Sequence, residues 1–163
     1  MIFIESFEPN LLSFNTVKNF ILNGRFDKAT TDMVNSLGYA AIYDILSDAQ
    51  FAFKFTYFTD GIFMLFDNHT FPSVIYGAIP VIKGNVEIFS YSLVDFKSYK
   101  FAKYMKRFVS YLDAIKEVKR IQSTIIFGNV GACRLHEKLG FKQEGILNKY
   151  DGENNYYMYA RIK

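Results

Sequence analysis

Residues 129–141 read NVGACRLHEKLGF and carry the strongest structural signal in the chain. An apolar run at 121–127 precedes them and predicts a strand. Asn129 is a residue type that caps helix N-termini, and Gly140 is the type that supplies a positive φ after a helix. The stretch therefore predicts a short helix from 129 to 139, followed by a strand at 141–150.

Hydrophobic periodicity predicts the elements on either side of this stretch. Alternating or continuous apolar runs predict strands at 1–6, 51–57, 62–66, 73–82, 86–94 and 156–162. Spacings of three and four residues predict helices at 9–23, 27–37 and 97–118, whereas residues 39–46 fit either a helix or a buried strand. The order β-α-α-β-β-β-β-α-β-α-β-β predicts one α/β (α+β) domain with a mixed sheet over residues 1–163.

The composition excludes several classes of protein. Half of the 163 residues are hydrophobic, 21% are charged and three are proline, which excludes a disordered or linker-rich chain. The single cysteine, Cys133, excludes an internal disulfide and favours a reducing compartment, and we expect it to be a small buried hydrophobe. Two histidines and one thiol provide no zinc-ligand spacing. Residues 1–7 lack the features of a signal peptide, and the longest apolar run is too short to span a membrane, so we expect a cytoplasmic protein.

Positive charge is concentrated in one segment of the chain. The formal net charge is +3, but residues 97–120 carry eight cations against two anions. A solvated helix face, a site for a polyanionic small molecule and a nucleic-acid surface all fit this pattern. Nucleic acid is not the expected partner, because the aromatic residues of the segment fall at helical spacing on the opposite side, where they suit a core better than base stacking.

The motif at 129–141 continues with KQEG at 142–145, and the chain closes on the strand sequence YYMYARI at 156–162. Together these segments resemble the strand–helix–strand signature and the final strand of the GNAT superfamily of acyl-CoA N-acyltransferases. The resemblance implies a mixed, mostly antiparallel sheet with helices on both faces. It also implies transfer of an acetyl group from acetyl-CoA to a primary amine of a protein or small molecule.

The resemblance also implies roles for individual residues. Asn129 matches an asparagine that contacts the pantetheine arm of CoA, and Leu93 and Val94 match backbone positions on the fourth strand that bind the same arm. Glu87 matches a glutamate that deprotonates the amine in several members, which suits an inward-facing carboxylate; the alternative is an outward-facing residue at a strand edge. His136 stands where many members have a tyrosine that protonates the leaving thiolate, and the alternative is a spacer on the helix surface.

One segment departs from the family pattern. Catalytic members have Q/R-x-x-G-x-G/A after the fourth strand, where bare backbone amides cradle the CoA pyrophosphate. The corresponding sequence here is KSYKFA at 97–102. Lys97 replaces Gln or Arg, Lys100 replaces the first glycine, Phe101 follows it, and only Ala102 fits the pattern. Either lysine charge and the helix dipole replace the glycine-loop contacts, or the CoA site is lost and the fold is reused.

Two functions therefore compete. The first is an acetyltransferase whose partners are acetyl-CoA and an amine-bearing acceptor. The second is a non-catalytic binding or assembly protein with a protein partner, because the layout also resembles the glycine-loop-poor GNAT-like proteins that tailed phages encode among their virion genes. If the chain is of this phage type, the resemblance implies that its cytoplasmic location is the host cytoplasm. Exposed aromatic residues favour a homodimer. No membrane partner is expected, and no role follows for His69.

Overall fold

The computed structural model describes residues 2–67 and 70–163, and His69 lies outside these ranges. Its elements in chain order are β1 (Ile2–Ser6), α1 (Leu11–Asn23), α2 (Lys28–Tyr57), β2 (Ile62–Asp67), β3 (Val74–Ile82), β4 (Asn85–Ser92), α3 (Ser98–Ala114), β5 (Arg120–Ile126), α4 (Val130–Lys138), β6 (Lys142–Leu147) and β7 (Tyr156–Ile162). The strands form one sheet in the order β1-β2-β3-β4-β5-β7-β6. β4 and β5 are parallel, whereas β1–β2, β2–β3, β5–β7 and β6–β7 are antiparallel. This architecture confirms the predicted mixed, mostly antiparallel α/β fold.

The chain divides into two compact units. The first unit comprises Met1–Pro80 and Phe89–Ser98, and the second comprises Val81–Ile88 and Tyr99–Lys163. In the first unit, α1 begins at a capping box in which the Asn10 side chain and the Ser13 side chain each accept from the other residue's backbone N–H. Its core is apolar and contains Phe7, Val17, Phe20, Ile21, Val34, Ile42, Leu46, Ala49, Ile62, Met64, Phe66, Ile75 and Leu93.

α2 is interrupted at Gly38, where φ is 77° and ψ is 163°. Glycine adopts this positive φ without the steric penalty that a side chain would bring. The predicted helix end at Gly38 is therefore a break inside the longer element α2. Residues 39–46, whose sequence fits either a helix or a buried strand, are helical. α2 spans 30 residues, yet no helix in the described part of the chain combines the length and apolarity needed to cross a membrane.

The strand predicted at 51–57 is wrong, because these residues form the C-terminal part of α2. Phe53 and Tyr57 are 0% and 8% exposed, whereas Phe51 and Phe55 are 71% and 76% exposed. Residues four apart share one helix face, so the apparent alternation consists of two such pairs. The predicted order therefore loses one strand: three strands, not four, lie between α2 and α3.

The second unit contains α3, β5, α4, β6 and β7. α3 buries Met105, Phe108, Val109 and Leu112 and exposes Lys103 and Lys106, as the amphipathic pattern predicts, but it ends at Ala114, earlier than the predicted 118. α4 follows the Asn129 cap, and Gly140, with φ of 84°, lies just beyond its end. The predicted helix and its flanking strands at 120–147 are thus confirmed.

Candidate functional site

Glu87 lies on β4 in the second unit, between the buried residues Val86 and Ile88. Because side chains alternate along a strand, the Glu87 side chain points to the opposite face, where it is half-buried. The Gln122 amide donates from Nε2 to Oε2 of the carboxylate at 3.1 Å, and the Thr124 hydroxyl donates to Oε1 at 3.3 Å. Each oxygen of Glu87 therefore accepts a hydrogen bond from a neutral side chain.

Tyr150 stands close to this carboxylate. Burial is the main cause that raises the pKa of Tyr150, and the negative charge of Glu87 raises it further, while a hydrogen bond with Thr124 lowers it. Since these causes leave the phenol protonated near neutral pH, Tyr150 presents a hydroxyl group next to Thr124 and Glu87.

His136 lies on α4 and faces an aromatic surrounding. Its Nδ1 is 2.9 Å from the carbonyl oxygen of Ala132, which can only accept, so Nδ1 carries a proton. Its Nε2 is buried and has no hydrogen-bond partner among the described residues. Burial lowers the pKa of His136, with the Ala132 bond opposing this shift. The ring centroids of Phe141 and Tyr159 lie 5.1 and 5.9 Å away. Near neutral pH the imidazole is therefore neutral.

Asn129 caps α4, as the sequence predicts. Its Oδ1 accepts a hydrogen bond from the backbone N–H of Ala132 at 3.0 Å, and the residue is exposed. Capping uses the side-chain oxygen only, so the amide NH2 group remains a donor that a ligand could use.

A groove of about 400 Å³ lies between α4 and the strands β6 and β7. The Tyr159 hydroxyl in its wall donates to Glu137 at 3.3 Å. Cys133 also lines the groove and is half-buried, so it is not the fully buried hydrophobe that the sequence suggests. The groove is lined by Gly128, Val130, Cys133, Arg134, Glu137, Gln143, Tyr157 and Tyr159, and thus by none of the predicted site residues.

Leu93 and Val94, in the first unit, follow the end of β4. The Leu93 N–H donates to the Ser73 carbonyl at 3.0 Å, and the Val94 N–H donates to the Arg25 carbonyl at 2.9 Å. Leu93 is buried in the first core, whereas Val94 is 49% exposed. The backbone donors predicted to bind pantetheine are therefore engaged with other parts of the chain.

The segment 97–102 forms the start of α3. Lys97 is exposed and directly precedes the helix, and Lys100, Phe101 and Ala102 are half-buried in its first residues. The first N–H groups of a helix have no intrahelical partner and favour anions, and no acidic residue occupies the first turn. The lysine-bearing helix start thus has the charge of an anion site without a glycine loop.

Within residues 2–67 and 70–163, no group of three or more His, Cys, Asp or Glu residues could hold a metal ion.

No protein-family model matches the sequence, and no curated protein matches it. Solved structures do match. A GNAT-family acetyltransferase from Streptococcus pneumoniae is 16% identical with a TM-score of 0.70, over 100% of both chains. Ribosomal-protein-S5-alanine acetyltransferase from Vibrio fischeri is 12% identical with a TM-score of 0.74, over 99% of this chain and 92% of the other. A spermidine N-acetyltransferase chimera derived in part from Vibrio cholerae is 14% identical with a TM-score of 0.67, over 99% and 95%.

The chain has the GNAT fold. At identities of 12% and 16%, the likeness shows the fold and nothing further. The activity of this GNAT-fold chain therefore has to be argued from its own residues. Of the predicted site residues, the first unit contains Leu93, Val94 and Lys97. The second unit contains Glu87, Lys100, Phe101, Ala102, Asn129 and His136.

Sequence reasoning missed the residues that surround Glu87 in the GNAT fold. On β5, the polar residues Arg120, Gln122 and Thr124 occupy alternate positions. A period-2 reading of this strand could have placed them on one face, next to the glutamate. No sequence pattern points to Glu144. It lies on β6 and binds Arg120 of β5, and the two strands are separated in the sheet by β7.

Proposed function

We propose that this protein is an acyl-CoA-dependent N-acyltransferase that moves an acetyl group from acetyl-CoA to a primary amine of a protein or small molecule. The observation that carries the proposal is the geometry of Glu87 on a GNAT fold. Its half-buried carboxylate on β4 accepts from the neutral donors Gln122 and Thr124. Neutral donors orient a carboxylate without neutralising its charge, which suits a base that takes a proton from an ammonium group.

In the proposed reaction, Glu87 accepts a proton from the ammonium group of the acceptor and so frees the nitrogen lone pair. Acetyl-CoA supplies the acetyl group as a thioester, so that the new nitrogen–carbon bond forms while the carbon–sulfur bond breaks and a thiolate leaves. The nitrogen loses its second proton as the amide forms, and this is the proton that the thiolate needs. His136 is the proposed relay for it: because its Nδ1 proton is bonded to the Ala132 carbonyl, Nε2 would take up the proton and pass it to the thiolate.

The start of α3 supports the proposed binding of CoA by its charge. Lys97 directly precedes α3 and Lys100 lies in its first turn, where backbone N–H groups have no intrahelical partner and favour a phosphate. In this proposal the two lysines and these amides hold the pyrophosphate, with Phe101 and Ala102 beside them. The exposed Asn129 would donate its NH2 group to an amide carbonyl of the pantetheine arm.

The acceptor is proposed only as a primary amine. Structures with this fold are named for different acceptors, among them an alanine of a ribosomal protein and spermidine. The proposal takes residues 1–163 as one acyltransferase domain that acts in the cytoplasm, the compartment that the single cysteine favours.

A transfer assay tests this proposal. Release of free CoA thiol is measured with acetyl-CoA and a panel of amines: peptides with free N-termini, lysine peptides and polyamines. Removal of a general base predicts a fall in kcat/KM of about 10²- to 10⁴-fold for Glu87→Gln. The exposed Glu117 provides the matched control, and Glu117→Gln should retain wild-type kcat/KM. Absence of transfer by the wild type, or full activity of Glu87→Gln, would overturn the proposal.

A second candidate, a non-catalytic binding protein with a protein partner, is favoured by one observation. The N–H groups of Leu93 and Val94 already bond to the carbonyls of Ser73 and Arg25, so they are not free to bind pantetheine. This candidate expects no transfer in the assay above and no change of melting temperature with acetyl-CoA. It also accommodates the lysines that replace the glycine loop.

A further inference from the structure

Gln122 is held in one orientation beside Glu87. Its side-chain Oε1 accepts from Arg120 Nε at 3.3 Å and from Asn85 Nδ2 at 2.9 Å, and its Nε2 donates to Glu87 Oε2 at 3.1 Å. The residue is 9% exposed. A guanidinium group has donors only, so a flipped Gln122 amide would press its NH2 group against Arg120. Arg120 therefore determines which end of the amide faces Glu87.

Arg120 is itself anchored by Glu144. Its Nη1 donates to Glu144 Oε1 at 2.9 Å, and its Nη2 donates to Glu144 Oε2, which makes a two-pronged ion pair. The hydrogen bond with Arg120 lowers the pKa of Glu144, so the carboxylate stays ionised. Glu144 lies where β6 shifts register against β7, between Gln143 and Gly145. The pair thus joins β5 to β6 across the intervening strand β7.

Thr124 holds the other side of the Glu87 carboxylate. Its hydroxyl donates to Oε1, while Gln122 donates to Oε2. Gln122 and Thr124 are two apart on β5 and share one face of the strand. A carboxylate with one donor on each oxygen has a fixed plane, and its remaining lone pairs point in fixed directions.

We propose that Gln122 is the positioning residue for Glu87, and that Arg120 and Glu144 hold Gln122 in the orientation this requires. The inference rests on the proposed function, in which Glu87 takes the proton of the amine. Position matters for such a step, because a displacement of about 1 Å can cost about 10²-fold in rate.

The variant Gln122→Met tests the inference, because methionine keeps the length of the side chain and removes its donor. We expect kcat/KM for the amine to fall about 10- to 100-fold through kcat. The Kd for acetyl-CoA should stay within about twofold of wild type, since Gln122 has no proposed contact with CoA. Unchanged kcat/KM in Gln122→Met, together with an impaired Glu87→Gln, would overturn the inference and leave the proposed function standing.

A charge-swapped double variant, Arg120→Glu with Glu144→Arg, separates positioning from a merely structural ion pair. The swap keeps opposite charges across β7 but places a carboxylate next to Gln122, which would turn the amide so that its oxygen faces Glu87. We expect the double variant to be folded, as judged by circular dichroism, and to have a kcat/KM as low as that of Gln122→Met. A wild-type kcat/KM in the double variant would overturn the role of Arg120.

Side-chain amide NMR of the free protein gives a readout that does not depend on turnover. The Gln122 amide resonance should move in Glu87→Gln, which removes the negative charge of its acceptor, and again in Arg120→Met, which removes one of its donors. An unchanged resonance in both variants would overturn the inference, whatever the assay gives. A shifted resonance in a protein that transfers to no amine would keep the contact and reject the proposed function.

Discussion

Glu87 and His136 are placed in contrasting environments. Glu87 is half-buried, and its carboxylate accepts from two neutral donors, Gln122 and Thr124. His136 is enclosed by Phe141 and Tyr159 and has one hydrogen bond, through Nδ1. Burial therefore lowers its pKa and favours the neutral ring.

The pH dependence of stability tests the environment of His136. Its folded pKa lies below the ordinary value of 6.5, so below about pH 6.5 the unfolded chain binds a proton that the folded chain does not. The free energy of unfolding should fall as the pH decreases from 6.5 toward the folded pKa. Urea unfolding measures the free energy of unfolding at pH 7.5 and at pH 5.5. The decrease between these two values should be larger for wild type than for His136→Leu, by at most about 1.4 kcal/mol per pH unit. His69 is common to both proteins and cancels; equal losses would contradict the assignment.

Only part of the candidate site could be predicted at the scale of residues. Glu87 and Asn129 could be singled out because a carboxylate on an apolar strand and a capping asparagine are local patterns. Arg120 and Glu144 could not, since their contact depends on the strand order β5-β7-β6 and on a register shift in β6. The site residues stay predictions until transfer is measured.

α2 shows how one pattern can fit two elements. Aromatic residues at 51, 53, 55 and 57 match a strand of period two, but they also form two pairs four residues apart on a helix. In the structure the Phe53 and Tyr57 rings lie 4.8 Å apart on the buried face, and the Phe51 and Phe55 rings stack 6.3 Å apart on the exposed face. The difference in burial between the two pairs distinguishes the helix from the strand. This burial depends on tertiary packing, which the sequence alone does not show.

A matched pair of substitutions tests this assignment. Phe53 is 0% exposed, so Phe53→Ala should lower the free energy of unfolding by about 3–5 kcal/mol. Phe55 is 76% exposed, so Phe55→Ala should change it by about 0.5 kcal/mol or less. Urea unfolding measures both. Similar costs for the two variants would mean that Phe53 and Phe55 share one face, as residues two apart do in a strand.

α4 and its flanking strands were predictable because their signals are local. The Asn129 side chain caps the helix through the Ala132 N–H, and Gly140 takes the positive φ that ends it. Neither feature depends on contacts far away in the chain, which is why the motif at 129–141 predicts the structure correctly. The same motif carries the resemblance to the GNAT superfamily.

At the scale of the whole molecule, the fold and the proposed activity rest on different evidence. The fold matches solved GNAT structures over nearly their whole length, at TM-scores of 0.70 and 0.74. Two features oppose a standard CoA site: the lysine-bearing start of α3 and the engaged N–H groups of Leu93 and Val94. Binding of acetyl-CoA is therefore the point on which the two candidate functions differ.

Thermal unfolding across an acetyl-CoA titration, with tripolyphosphate as the polyanion control, tests that binding. Saturable binding to the folded chain at a hundred times Kd adds about 2.7 kcal/mol of stability, which for a domain of this size raises Tm by about 5–10 °C. We predict a shift of this kind with acetyl-CoA and a much smaller one with tripolyphosphate. No shift at millimolar acetyl-CoA, or an equal shift with tripolyphosphate, would contradict the assignment of this chain as an acyl-CoA-dependent transferase.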